Sequence, residues 1–89
     1  MPVVKIPPPY RGPTAGAGAI EVAGATVREA LGAVNAGHPG FGDLIFDGDG
    51  AVHKFVSLFV NGEEIARGEV DAPLAAGDEI EVIAAIAGG

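Results

Sequence analysis

The sequence predicts an α+β domain, a mixed sheet of four to five strands with one main helix packed on one face. Three stretches carry that prediction. Residues 26–37 read as a capped amphipathic helix, residues 54–66 as a hairpin turning on Asn61-Gly62, and residues 79–83 as an alternating final strand. The 89 residues suffice for one core, and a 48% hydrophobic fraction argues against disorder.

Val3-Val4-Lys5-Ile6 is a short β-prone run that the prolines at 7–9 close off. "PPPY", residues 7–10, matches a polyproline ligand pattern, but against a strand predicted at the sheet edge a rigid strand exit is the better reading. "RGPTAGAGA" is expected to be a flexible loop. After it, Ile20 and Val22 alternate with Glu21 as a half-buried strand, so the first two strands should form a loosely connected hairpin.

Thr26-Val27-Arg28-Glu29 fits a capping box, in which threonine hydroxyl and glutamate carboxylate each accept a free backbone N–H of the first turn. Val27, Ala30, Leu31 and Val34 then form one apolar stripe. Gly37 stands where a left-handed cap would end the helix, and Pro39 bars its continuation. Phe41, Leu44 and Ile45 are spaced for a single helical turn plugging one end of the core. In the hairpin, Phe55 and Phe59 should face one way and Val56, Leu58 and Val60 the other. One set must meet the helix; the other is either an exposed docking patch or is covered by loops or tail. Leu74 is a core plug, and Ile80 and Val82 alternate with Glu79 and Glu81. The reading divides the chain into a domain over residues 1–84 and a flexible tail over residues 85–89 that ends Gly88-Gly89.

Composition narrows function. A net charge of −7 opposes direct binding to nucleic acid or an anionic membrane surface. The absence of cysteine removes disulfides, thiolate metal sites and cysteine nucleophiles. Neither a signal peptide nor a membrane span is legible, so a cytoplasmic protein is expected, monomeric when free. "FDGDGAVHKF" places Asp47 and Asp49 as a calcium loop would. Ala51, Val52 and Leu58 then occupy positions that need a ligand, a glycine and a bidentate glutamate, so it reads as a turn and no metal is expected. Gly16 and Gly18 lack the rest of a dinucleotide fingerprint. His38 and His53 have no nucleophile in register, and Ser57 lies mid-strand. No catalytic residue of its own is expected, and the chain reads as no enzyme.

Together, "FVSLFVNGEEI", "PLAAGDEIEVIAAIAGG" and the earlier "KIP", arginine, "TAG" and "HKFV" resemble the ubiquitin-like sulfur-carrier family of MoaD and ThiS types. Within that family, the "KIP", arginine, "TAG" and "HKFV" stretches are similar to the longer MoaD-like carriers, which include the CysO type. The resemblance is strong over the C-terminal half and implies a β-grasp fold without the cluster cysteines of the ferredoxins that share this shape. Ala84-Ala85 depart from it, since many such carriers have proline there.

The resemblance implies a division of labour. A partner adenylyltransferase, using ATP and magnesium, would convert the Gly89 carboxylate to an acyl-adenylate. Sulfide or a persulfide would then displace AMP to leave a thiocarboxylate, and a sulfur-accepting synthase would take the sulfur for cysteine, molybdopterin or another metabolite. No cofactor would be bound by the carrier itself. Gly89 would carry the chemistry, Gly88 would grant access, and Ala85, Ile86 and Ala87 would line the channel mouth. Five extended residues reach about 17 Å, and glycine adds no bulk to a narrow channel. Phe55 and Phe59 are the docking candidates. The same terminus could instead be joined to lysines as a protein modifier, or the chain could be a plain interaction domain.

Overall fold

The computed structural model describes residues 1–84; the tail residues 85–89 lie outside the described residues. Five strands form one sheet in the order β2-β1-β5-β3-β4, namely Ala19–Glu21, Val3–Lys5, Glu79–Ala84, Val56–Val60 and Glu63–Ile65. β1 pairs antiparallel with β2 and parallel with β5, while β3 pairs antiparallel with both β5 and β4. The last strand thus fills the middle of the sheet. β1 is interior as well, which corrects the edge position expected from the prolines. Pro7 to Pro9 lie beyond the last ladder residue, so they withdraw no donor from the sheet. Pro8–Tyr10 form a 3-10 turn whose Tyr10 is buried, a rigid strand exit.

Helix α1 spans Val27–Gly37. The threonine half of the capping box forms as expected: Glu29 N–H donates to Thr26 Oγ1 at 3.1 Å. Ala25 N–H donates to Glu29 Oε1 at 3.0 Å, one residue upstream of the usual partner. Val27, Ala30, Leu31 and Val34 are buried against Val4, Ile80, Val82, Val56 and Leu58 of the sheet. Gly37 is helical rather than a left-handed cap. The left-handed residue is Gly40, at φ 101°, because Pro39 stops α1 and the chain must then reverse before the single turn α2, Phe41–Ile45. Phe41 and Ile45 are fully buried and close one end of the core.

The Asn61-Gly62 turn has positive φ at both positions, 51° and 86°, as a two-residue hairpin of this type demands. Asn61 also clasps the start of β5: its Nδ2 donates to Asp78 Oδ1 at 3.0 Å and its Oδ1 accepts from Glu79 N–H at 3.0 Å. The glycine-rich segment 11–18 is not the loose loop expected. Thr14, 2% exposed, donates its hydroxyl to Ala17 O at 2.9 Å, and Gly16 N–H donates to Arg11 O at 2.8 Å. A buried hydroxyl must be paired, and that need closes the loop.

Two outcomes follow from this packing. Leu31→Ala removes a fully buried side chain between helix and sheet and should cost about 3 kcal/mol, read from urea unfolding. The Asp78 carboxyl is held below its ordinary range by the Ala75 backbone N–H and by Asn61. Asp47 is lowered likewise by the N–H groups of Asp49 and Ala51. Their stabilisation is complete above the unfolded carboxylate value of about 4 and is lost as pH falls through the lower folded values. Thermal midpoints taken down that acid range should fall less steeply for Asp78→Asn than for the parent chain.

Candidate functional site

The candidate site is the end of the sheet where β5 reaches its last described residue, Ala84. Val56 pairs with Ala84, Ser57 with Ile83 and Phe59 with Glu81, so β3 holds β5 extended to its last described residue. On the other flank Lys5 pairs with Glu81, so β1 ends beside the same exit. The 3-10 turn and Arg11 continue from β1, and His53 to Phe55 lead into β3. The flanks of the β5 exit are therefore the ladder strands β3 and β1 together with the segments that join them there.

The sheet face away from α1 carries the predicted docking residues. Val56 and Leu58 are buried toward the helix, which turns Ser57 and Phe59 outward as the alternation predicts. Phe59 is half-buried, flanked in register by Glu81 on β5 and Glu64 on β4. Phe55 is 47% exposed and lies just before β3. Its ring stacks on the His53 imidazole with centroids 4.9 Å apart. The two phenylalanines are not in one ladder. Ile83, 38% exposed and opposite Ser57, stands between them and completes an apolar strip that the sequence reading had not assigned. The alternation in residues 79–83 placed Ile83 on this face with Glu79 and Glu81, and that was the available signal.

Charge around the exit is uneven. Lys5 Nζ lies 2.5 Å from Glu79 Oε1, and that hydrogen bond holds the Lys5 ammonium above its ordinary pKa. Arg67 donates to the Lys54 carbonyl. Arg11, Lys54 and Arg67 thus gather near the β5 exit, while Glu21, Glu63, Asp78 and Glu79 sit toward the opposite end of the strands, to which Lys5 reaches back through its bond with Glu79. Arg28, the remaining cation, is occupied elsewhere: it donates to Asp71 at 2.9 Å and to Gly50 O at 2.8 Å, over the Phe46 ring.

The other sequence candidates are structural. Asp47 Oδ1 accepts from Asp49 N–H at 2.8 Å and Ala51 N–H at 3.1 Å, so this carboxylate builds its own turn. Among the described residues no cluster of three metal-ligating side chains occurs, and no helix is long and apolar enough to cross a membrane. His53 Nε2 lies 3.1 Å from the Asp43 carbonyl, and His38 caps α1 through its backbone. Gly89, Gly88, Ala87, Ile86 and Ala85 fall outside the described residues.

Comparison with known proteins agrees with this architecture. The ThiS family matches residues 15–89. The sulfur carrier protein CysO of Mycobacterium tuberculosis is 29% identical, over 97% of this chain and 96% of that protein. Small archaeal modifier protein 1 of Haloferax volcanii is 37% identical, over 73% of this chain and 71% of its own. In three dimensions, a chain of the Amycolatopsis orientalis BexX/CysO complex superposes with a TM-score of 0.91, at 31% identity and full coverage of both chains. The M. tuberculosis CysO crystal structure gives 0.88 at 26% identity, covering 97% of this chain and all of that one. The fold is therefore the β-grasp, and the chain belongs to the ThiS family.

Proposed function

We propose that this chain is a ubiquitin-like sulfur carrier whose Gly89 carboxylate is activated and sulfurated by partners. The observation that supports it is the place of β5. A central strand, paired on both sides, leads straight into residues 85–89, and the family match extends through Gly89. The chain itself is not an enzyme; its matched relatives are carriers and modifiers.

In this reading a Gly89 carboxylate oxygen attacks the α-phosphorus of ATP, held with magnesium by an adenylyltransferase, and pyrophosphate leaves. Sulfide then attacks the activated carbonyl carbon, the bond to AMP breaks, and a thiocarboxylate remains. A carboxylate is a poor electrophile and the acyl-adenylate a good one, so activation precedes sulfur transfer. Water must be kept from the adenylate, which favours a narrow channel. Gly88 gives the backbone its freedom there, and Ala87, Ile86 and Ala85 line its mouth. Phe55 and Phe59, with Ile83 between them, dock the body on the partner. A synthase for a sulfur-containing metabolite receives the sulfur, and the free carrier is monomeric. A CysO chain crystallised with BexX supports a partner of that kind.

The 37% identity to an archaeal modifier favours one second reading, conjugation of Gly89 to lysine amines. Intact-mass spectrometry of the chain from its own host separates the two. A carrier shows the mass gain of one oxygen replaced by one sulfur; a modifier appears as lysine adducts on other proteins. One residue added after Gly89 should abolish adenylation, checked by pyrophosphate exchange with the host adenylyltransferase. Phe55→Ala, at an exposed position, should raise the KM for carrier in that assay with its thermal midpoint unchanged.

A further inference from the structure

A cleft of about 260 Å³ opens beside the C-terminal end of β5, lined among others by Lys5, Pro7, Pro8, Arg11, Glu81 and Ile83. Arg11 is aimed into place from two directions. Its Nε donates to the Ile6 carbonyl at 3.0 Å, and its backbone N–H donates to Pro8 O at 3.3 Å. Gly18 lies behind the guanidinium, where a Cβ would come within 2.7 Å of Nη2. A side chain at position 18 would push the end of Arg11 aside, so glycine there leaves the guanidinium in its present place.

Among the described residues the ion pairs are Lys5 with Glu79 and Arg28 with Asp71, so Arg11 has no carboxylate partner there. Lys54 and Arg67 likewise make no ion pair among the described residues, but of these three cations Arg11 is the one that lines this cleft, with its side chain fixed by the Ile6 carbonyl. The carboxylate in the lining, Glu81, is opposite Lys5 in register, and its charge acts on that ammonium.

We propose that this cleft takes an acidic side chain of the activating enzyme, its carboxylate paired forkwise with the two Nη groups of Arg11. A neighbouring apolar residue of the same partner loop rests on Pro7, Pro8 and Ile83. The inference builds on the carrier reading, which supplies the partner. The guanidinium fork fits either a carboxylate or a phosphate. Carboxylate is favoured over the nucleotide's phosphates because Glu81 lines the same cleft and repels a multiply charged group more than a monoanion. The contact sits level with Val82 and Ile83, so it sets the register of the tail as it enters the partner.

The test is adenylation of purified carrier by the host adenylyltransferase, with KM for carrier, KM for ATP and kcat measured separately. Arg11→Glu should raise the KM for carrier about tenfold or more and leave kcat and the KM for ATP unchanged. Arg11→Lys should retain part of the affinity. Gly18→Ala, which displaces the guanidinium without removing charge, should fall between Lys and Glu. Added salt should weaken the parent chain more than Arg11→Glu. If the parent is adenylated and Arg11→Glu binds as well, the proposal fails while the carrier reading stands. A change in KM for ATP instead would place the nucleotide at Arg11 and overturn the proposal too. If the parent is not adenylated at all, both readings fall together. Thermal midpoints confirm that each variant is folded.

Discussion

The pairing of β5 on both sides is the constraint from which the rest of the molecule follows. Ile80 and Val82 give β5 its buried face beneath α1, and β1 and β3 satisfy its backbone groups on either edge. A strand so placed cannot peel away without opening the core. Had it been an edge strand, its free donors and acceptors would have invited pairing with other chains. Central placement therefore does two things at once: it anchors the body firmly, and it fixes the position of Ala84, the last described residue. In a domain this small, with one core, a stable departure point has to come from the sheet itself.

The surface around that point divides by chemistry. The apolar strip of Phe55, Ile83 and Phe59 is interrupted by carboxylates at Glu64 and Glu81. An unbroken apolar face next to short strands would invite self-association, and the flanking charges limit it. Most of the few cations lie near the exit and most strand-borne acids lie away from it, so the domain has a polarity along its strands. In the carrier reading proposed above, charge distributed along the strands would orient the body against a partner of complementary charge on approach.

Local signals in the sequence were sufficient for the helix, both hairpins and the inward face of the third strand. The capping box, the Asn-Gly pair and strict alternation each act within a few residues, so each could be read without knowing the neighbours. What stayed hidden depended on long-range pairing. No local feature of Val3–Lys5 says that a strand from the far end of the chain will lie beside it in parallel, and the prolines at 7–9 suggested an edge. Gly37 looked like a cap because a glycine before a proline usually is one; the reversal moved to Gly40 once α2 had to seat Phe41 and Ile45. Thr14 appeared to belong to a loose glycine-rich loop, and only its burial explains why the loop closes. At the site, the alternation already exposed Phe59, whereas Ile83 and Arg11 gained meaning from strands that meet only in the fold.

The alanines at 84 and 85 acquire a physical reading from the same pairing. A proline near this position stiffens a tail by fixing φ, at the cost of a backbone donor. Here the ladder performs that task at its last rung, since Ala84 is still paired with Val56. Proline at 84 would remove an N–H at the edge of that pairing, so stiffness from a ring and stiffness from the ladder compete for this residue. The chain uses the ladder, which carries the ordered extended backbone through residue 84 and sets its heading by cross-strand geometry. Direction at the exit then depends on β3, and so on the packing of Val56 and Leu58 under the helix. In this protein the placement of β5 through residue 84 and the stability of the core are properties of the same few residues.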